Sequence, residues 1–133
     1  MKKLVRVSMM YMILGLVFGV YYREFTKLND FTGQTQLSVM HTHTLILGMF
    51  FFLIVLLLEK NFQLTAHKNY KKFYICYNIG LGVTLLMLLI HGTMTVLGYA
   101  DHAAIAGIAG LGHIMLAVGL GYFFNVLSGS VKE

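Results

Sequence analysis

The sequence predicts an all-α membrane protein of four transmembrane helices, and three observations carry that prediction. Of the 133 residues, 58% are hydrophobic and only 11% charged, a balance typical of membrane proteins rather than soluble domains. Four apolar stretches, residues 5–22, 37–58, 73–99 and 103–127, approach or exceed the roughly 20 residues that cross a hydrocarbon core at about 1.5 Å per residue. The basic residues then fall on alternating connections. Lys2, Lys3, Arg6, Lys60, Lys68, Lys71, Lys72 and Lys132 flank one side of the spans, against Arg23 and Lys27 on the other. Cytoplasmic flanks collect Lys and Arg, so both termini are expected to be cytoplasmic, in the cytoplasmic membrane of a bacterium. Residues 1–133 are expected to form a single four-helix transmembrane domain, the spans leaving no room among them for a soluble one. The net charge of +5 is a set of membrane flanks, which argues against nucleic-acid binding.

The first span follows Met1-Lys2-Lys3 and imitates a signal peptide. However, no small-residue cleavage site follows; the chain runs into Tyr21-Tyr22-Arg23-Glu24. Within it, Gly15-x-x-x-Gly19 is a small-residue surface that permits close helix contact. The outer loop, 23–36, carries turn chemistry at Asn29-Asp30 and Gly33. Arg23 there is either a contact for an acidic ligand group or a plain flank charge beside Glu24. The second span carries His41-Thr42-His43, then Gly48, then an aromatic and aliphatic run from Phe50 read as filler. A polar, basic inner loop, 59–72, holds His67, read as an ordinary loop histidine. The third span contains Asn78, Thr84, His91, Thr93 and Thr95. After a short turn with Asp101 and His102, both read as solvated, the fourth begins with a small-residue run, 103–112, and His113. No proline forces a kink in any span. The single Cys76 excludes covalent haem attachment through paired cysteines and a four-thiolate cluster within one chain.

The chemistry is concentrated in histidine. His41 and His43 lie near the start of an inward-running span, His91 near the end of an outward-running one, and His113 in the first half of the next inward one. By rise per residue all four fall in the outer half of the membrane, roughly 6–15 Å from its outer edge. An ionisable side chain at that depth is costly unless paired, which makes it a functional-site candidate. Residues two apart on a helix are rotated by about 200°, so His41 and His43 face opposite sides and serve separate sites or separate subunits. Gly48, seven residues after His41, shares its face and leaves a flat space under an imidazole. Neutral imidazole suits iron, copper and zinc, and helix bundles build cofactor sites from facing side chains. Three uses remain open: axial ligation of haem, a bare copper or zinc site, and a hydrogen-bonded or proton-relay role.

The whole chain, through Gly-x-x-x-Gly, Tyr-Arg-Glu-Phe, Phe-Thr-Gly-Gln-Thr and His-Thr-His-Thr-Leu-x-Leu-Gly-Met, resembles a small uncharacterised family of bacterial four-span membrane proteins. The His-x-His stretch also resembles the haem-ligand helix of the haem–copper oxidase catalytic subunit, whose twelve spans form three four-helix arcs. That resemblance implies a homotrimer completing a twelve-helix ring. It implies haem b at each interface, with His43 of one subunit and His41 of the next as axial ligands. His91 falls where the oxidases place copper ligands, by helix order alone, and His113 has no counterpart.

A symmetric ring has equivalent sites and lacks the distinct centres of oxygen reduction, so no oxidase activity is expected. The leading expectation is a non-covalent b-type haem protein that transfers electrons to a partner the sequence does not identify, or binds gas or haem. Against it stand a structural or assembly protein with hydrogen-bonded histidines, a copper- or zinc-binding protein, and a metal or proton translocator. The last lacks polar groups in the inner half. A two-haem cytochrome with histidines on both membrane sides is disfavoured for the same reason.

Overall fold

A computed structural model describes residues 1–131; Lys132, counted above among the flank charges, lies outside them. The chain is all-helical. Helix α1 spans Lys2–Leu28, α2 Leu37–Phe62, α3 Tyr70–Val96 and α4 Ala103–Ser130, with a short 3₁₀ turn at Leu64–Ala66 between α2 and α3. All four are long and apolar enough to cross a membrane, with 26 to 28 residues each. At about 1.5 Å per residue they reach roughly 40 Å, past the hydrocarbon and into both headgroup layers. This is the architecture of a multi-pass membrane protein.

The helix ends differ from the apolar stretches where polar residues continue a turn. Helix α1 runs six residues beyond the expected span, so Arg23 and Glu24 are helical rather than in a loop. Thr26 Oγ1 donates to Tyr22 O at 2.7 Å and Asn29 Nδ2 to Phe25 O at 2.8 Å, closing the last turn before Asp30 takes a positive φ of 48°. Conversely, α3 stops at Val96, because Gly98 at φ 75° reverses the chain.

Helices α2 and α3 occupy the centre, with α1 packed on α2 and α4 on α3. Glycine sets the approach of the α3–α4 pair. A Cβ on Gly80 would stand 2.4 Å from the backbone nitrogen of Leu116, and one on Gly119 2.8 Å from Cα of Tyr77. Backbones this close gain dispersion contact that side chains would block, a main source of helix association in lipid. The α1–α2 pair uses Gly15 and Gly19, which receive the side chains of Leu45 and His41. The Gly-x-x-x-Gly surface is therefore an intramolecular packing face.

Towards the end that carries Lys2, Lys60 and Lys71, the interior is aromatic. Phe51 stacks on Tyr77 at 4.2 Å between centroids and meets Phe123 edge-on at 5.2 Å. Phe52 is fully buried, whereas Phe50 is exposed, so the aromatic run divides between core and lipid face. Exposed apolar residues such as Leu16, Val17, Ile46, Leu57, Ile114 and Val118 cover the outer surface, as hydrocarbon solvent requires.

Helix α2 is not α-helical throughout. Thr44–Phe50 forms seven residues of π-helix directly after His43. The absence of proline did not keep this helix regular, because a wide turn is another route to irregularity. Its carbonyls find donors on both neighbours. Tyr77 on α3 donates its hydroxyl to Leu47 O at 2.8 Å, and Ser8 on α1 donates to Met49 O at 2.9 Å. Tyr11 OH donates to Asn78 Oδ1 at 3.0 Å, tying α1 to α3 across the same level.

Two outcomes test this packing. Gly80→Leu should lower the thermal midpoint in detergent by the equivalent of about 1–3 kcal/mol, the usual cost of overpacking. Gly82→Leu, with nothing near its Cβ position, should leave the midpoint unchanged. Tyr77→Phe keeps the ring but removes the donor to Leu47 O, and should cost about 1 kcal/mol in a reversible unfolding titration.

Candidate functional site

Each of the four candidate histidines is fixed by one ring nitrogen, and the way it is fixed decides what the other nitrogen can do. His41 Nδ1 lies 2.7 Å from Gly15 O, with the half-buried ring in the α1–α2 groove over Gly19. His43 Nδ1 lies 2.8 Å from Val39 O, one turn back on its own helix. His113 Nδ1 lies 2.8 Å from Ala109 O in the same local arrangement on α4. A carbonyl only accepts, so each of these three Nδ1 atoms carries the proton. With Nδ1 as the donor, the neutral tautomer of each ring presents Nε2 as an acceptor or a metal ligand. Metal-ligating histidines commonly share this feature, the far N–H donated to a carbonyl that holds the ring.

His91 differs. Its Nε2 lies 2.6 Å from Asp101 Oδ1, and its backbone carbonyl accepts from Thr95 Oγ1. Asp101 is 79% exposed, yet its carboxylate reaches back to the imidazole. The expectation that Asp101 is merely solvated is corrected: it is exposed and also paired with His91. The reversal at Gly98 brings the residue ten positions on in sequence back to the helix end; the Gly and Asp of the turn were the available signal.

The residues do not converge within one chain. Among the described residues no group of three or more His, Cys, Asp or Glu side chains is placed to hold a metal ion. His41 faces α1, whereas His43 lines an open groove of about 350 Å3 with Val39, Thr42, Ile46 and Leu47. The opposite facing of His41 and His43 thus holds. His113 is exposed on α4, where Gly107 and Gly110 have nothing within 4 Å of a Cβ position.

Gly48 does share the His41 face, but the space beside it is not open. The Tyr11 ring fills it, and a Cβ on Gly48 would stand 2.4 Å from Tyr11 Cγ. Gly48 therefore serves helix packing. Arg23 is an exposed flank charge, its side chain 81% accessible and its Nε 3.6 Å from Glu24 Oε1. His67 is less free than expected of a loop residue. It accepts from the backbone N–H of Asn69 at 3.2 Å, and its ring lies against Gly129.

The π-helical turn after His43 was not foreseen. Nothing in Thr44–Phe50 distinguishes it from ordinary apolar helix; the only clue lies on other helices, in the buried hydroxyls of Ser8 and Tyr77. Such turns recur at functional sites, and this one widens α2 immediately beneath the His-Thr-His pair.

Comparison with curated proteins and with solved structures gave no match. A family model described as "Protein of unknown function (DUF2871)" matches residues 1–130. With nearly the whole chain covered, the protein belongs to that family.

Proposed function

We propose that the protein is a non-covalent b-type haem-binding protein of the bacterial cytoplasmic membrane, both termini cytoplasmic, with the haem held between copies of the chain. One observation carries this reading. His43 tethers Nδ1 to its own helix and lines an apolar groove, so Nε2 is a preset ligand atom with apolar wall beside it. The fit to a porphyrin is half a site per chain: one imidazole and one apolar wall, with no second histidine facing the same groove. A second histidine would then be supplied by a neighbouring copy.

The oxidase resemblance offers His41 of that copy, in a trimeric ring. Exposure offers His113, which presents its Nε2 in the same way as His43. The protein's own residues orient the imidazoles, exclude water through apolar side chains and fix the proton on Nδ1. Haem held by two such rings supplies one-electron transfer; with one position open it supplies gas binding. His91, paired with Asp101, is the weaker ligand candidate, and copper or zinc remains the lesser metal.

A second reading rests on the same hydrogen bonds. His41 joins α2 to α1 through Gly15 O, and His91 joins α3 to the turn before α4. A structural or assembly protein would use histidines in this way and carry no cofactor.

Purification in detergent with haem supplementation separates the two. The haem reading expects a Soret band, its loss in His43→Ala, and a mass of several copies. The same band in His41→Ala or His113→Ala identifies which is not the second ligand. A colourless, haem-free and metal-free protein whose histidine variants lose only stability overturns the haem reading in favour of the structural one.

A further inference from the structure

We propose that the groove between α1 and α2 at the basic end of the bundle binds an anionic phospholipid. The groove has a volume of about 470 Å3 and is lined by Lys2, Val5, Arg6, Leu56, Leu57 and Lys60, with Met1 at its edge. Lys2 and Arg6 are four residues apart and share one face of α1. Leu56 and Leu57 sit four and three residues before Lys60, which puts all three on one face of α2. The two helices run antiparallel, so three cations gather where α1 begins and α2 ends. Leu56 and Leu57 form an apolar wall deeper towards the hydrocarbon than Lys60, and Val5 adds apolar surface between Lys2 and Arg6. Val5 is 48% and Leu57 62% exposed. On α2 this is the vertical order of a lipid, phosphate at the rim and acyl chain below, and on α1 the long Arg6 side chain reaches back towards the headgroup layer.

Charge complementarity identifies the occupant. No acidic side chain lines the groove. The neighbouring Glu59 is turned away, its carboxylate accepting from the backbone N–H and hydroxyl of Thr65. Among the described residues Lys2, Arg6 and Lys60 have no ion-pair partner. Two other lysines at this end are engaged with rings, Lys3 over Tyr74 and Lys72 over Tyr122, while Lys68 and Lys71 do not line the groove. Gathered in one groove without an acidic partner, Lys2, Arg6 and Lys60 are available to a ligand, and basic pockets between membrane helices take acidic headgroups. Long Lys and Arg stems reach the headgroup layer while their methylenes stay against apolar wall. The site lies at the other end of α2 from His41 and His43 and is independent of the haem reading.

The test uses the full chain, delipidated in neutral detergent and titrated with phosphatidylglycerol, phosphatidylcholine or inorganic phosphate. Bound lipid is read by native mass spectrometry and the unfolding midpoint by heating. Phosphatidylglycerol should be retained and raise the midpoint, phosphatidylcholine should bind at least about tenfold more weakly, and phosphate should do neither. Lys2→Gln/Arg6→Gln/Lys60→Gln should lose phosphatidylglycerol by about tenfold or more, while Lys68→Gln/Lys71→Gln/Lys72→Gln, with the same charge removed, retains it. Arg6→Gln alone should show an intermediate loss. Equal loss in both triple variants, equal retention of the two lipids, or a midpoint shift with phosphate alone overturns the proposal.

Discussion

Hydrocarbon offers no hydrogen bonds, and that constraint shapes most of this protein. Every backbone group at depth must be satisfied from within the chain, which is why the spans are helices. Most buried side-chain hydroxyls obey the same rule, although Thr84 Oγ1 is buried without a partner among the described residues. Thr35 donates to Gly92 O at 2.8 Å and joins the start of α2 to α3, while Tyr21 and Thr93 pair at 2.9 Å across α1 and α3. Regular helices satisfy their own backbones. A π-helical turn alters that pattern, and here Tyr77 and Ser8 supply donors to two of its carbonyls. The irregular segment and the polar side chains around it are one arrangement: neither is well explained without the other.

The histidines follow the same logic to a different end. An imidazole has two nitrogens, and a bundle interior readily satisfies one. His41, His43 and His113 each satisfy Nδ1 on a carbonyl. For His41 the carbonyl belongs to a neighbouring helix, so the bond also joins α1 to α2. For His43 and His113 the carbonyl lies one turn back on the same helix. Their bonds join nothing, and serve only to orient the ring. That difference separates a histidine whose tethered nitrogen joins two helices from one whose tether only orients its own ring.

Sequence reading found what depends on composition and failed where geometry depends on neighbours. The four spans were legible because 20 apolar residues have few other uses. Their ends were less so, since Tyr22 to Leu28 looks polar yet continues α1. The opposite facing of His41 and His43 followed from helix periodicity alone. Gly48 shows the limit: its face was correctly placed, but its neighbour was not, because Tyr11 lies 37 positions away and no local pattern announces it. Asp101 was read as solvated for the same reason, since exposure and pairing are not exclusive at a helix end.

Helices α1 and α4 flank the central pair on different sides, and their exposed surfaces are unlike. The α1 side presents Leu16, Val17 and Val20; the α4 side presents Leu111, Ile114 and His113. Two dissimilar margins cannot make a self-complementary, isologous contact with each other. If one margin meets the other, the contact is heterologous, and the angle between the margins alone determines whether successive copies close on themselves or continue as a row in the plane of the bilayer.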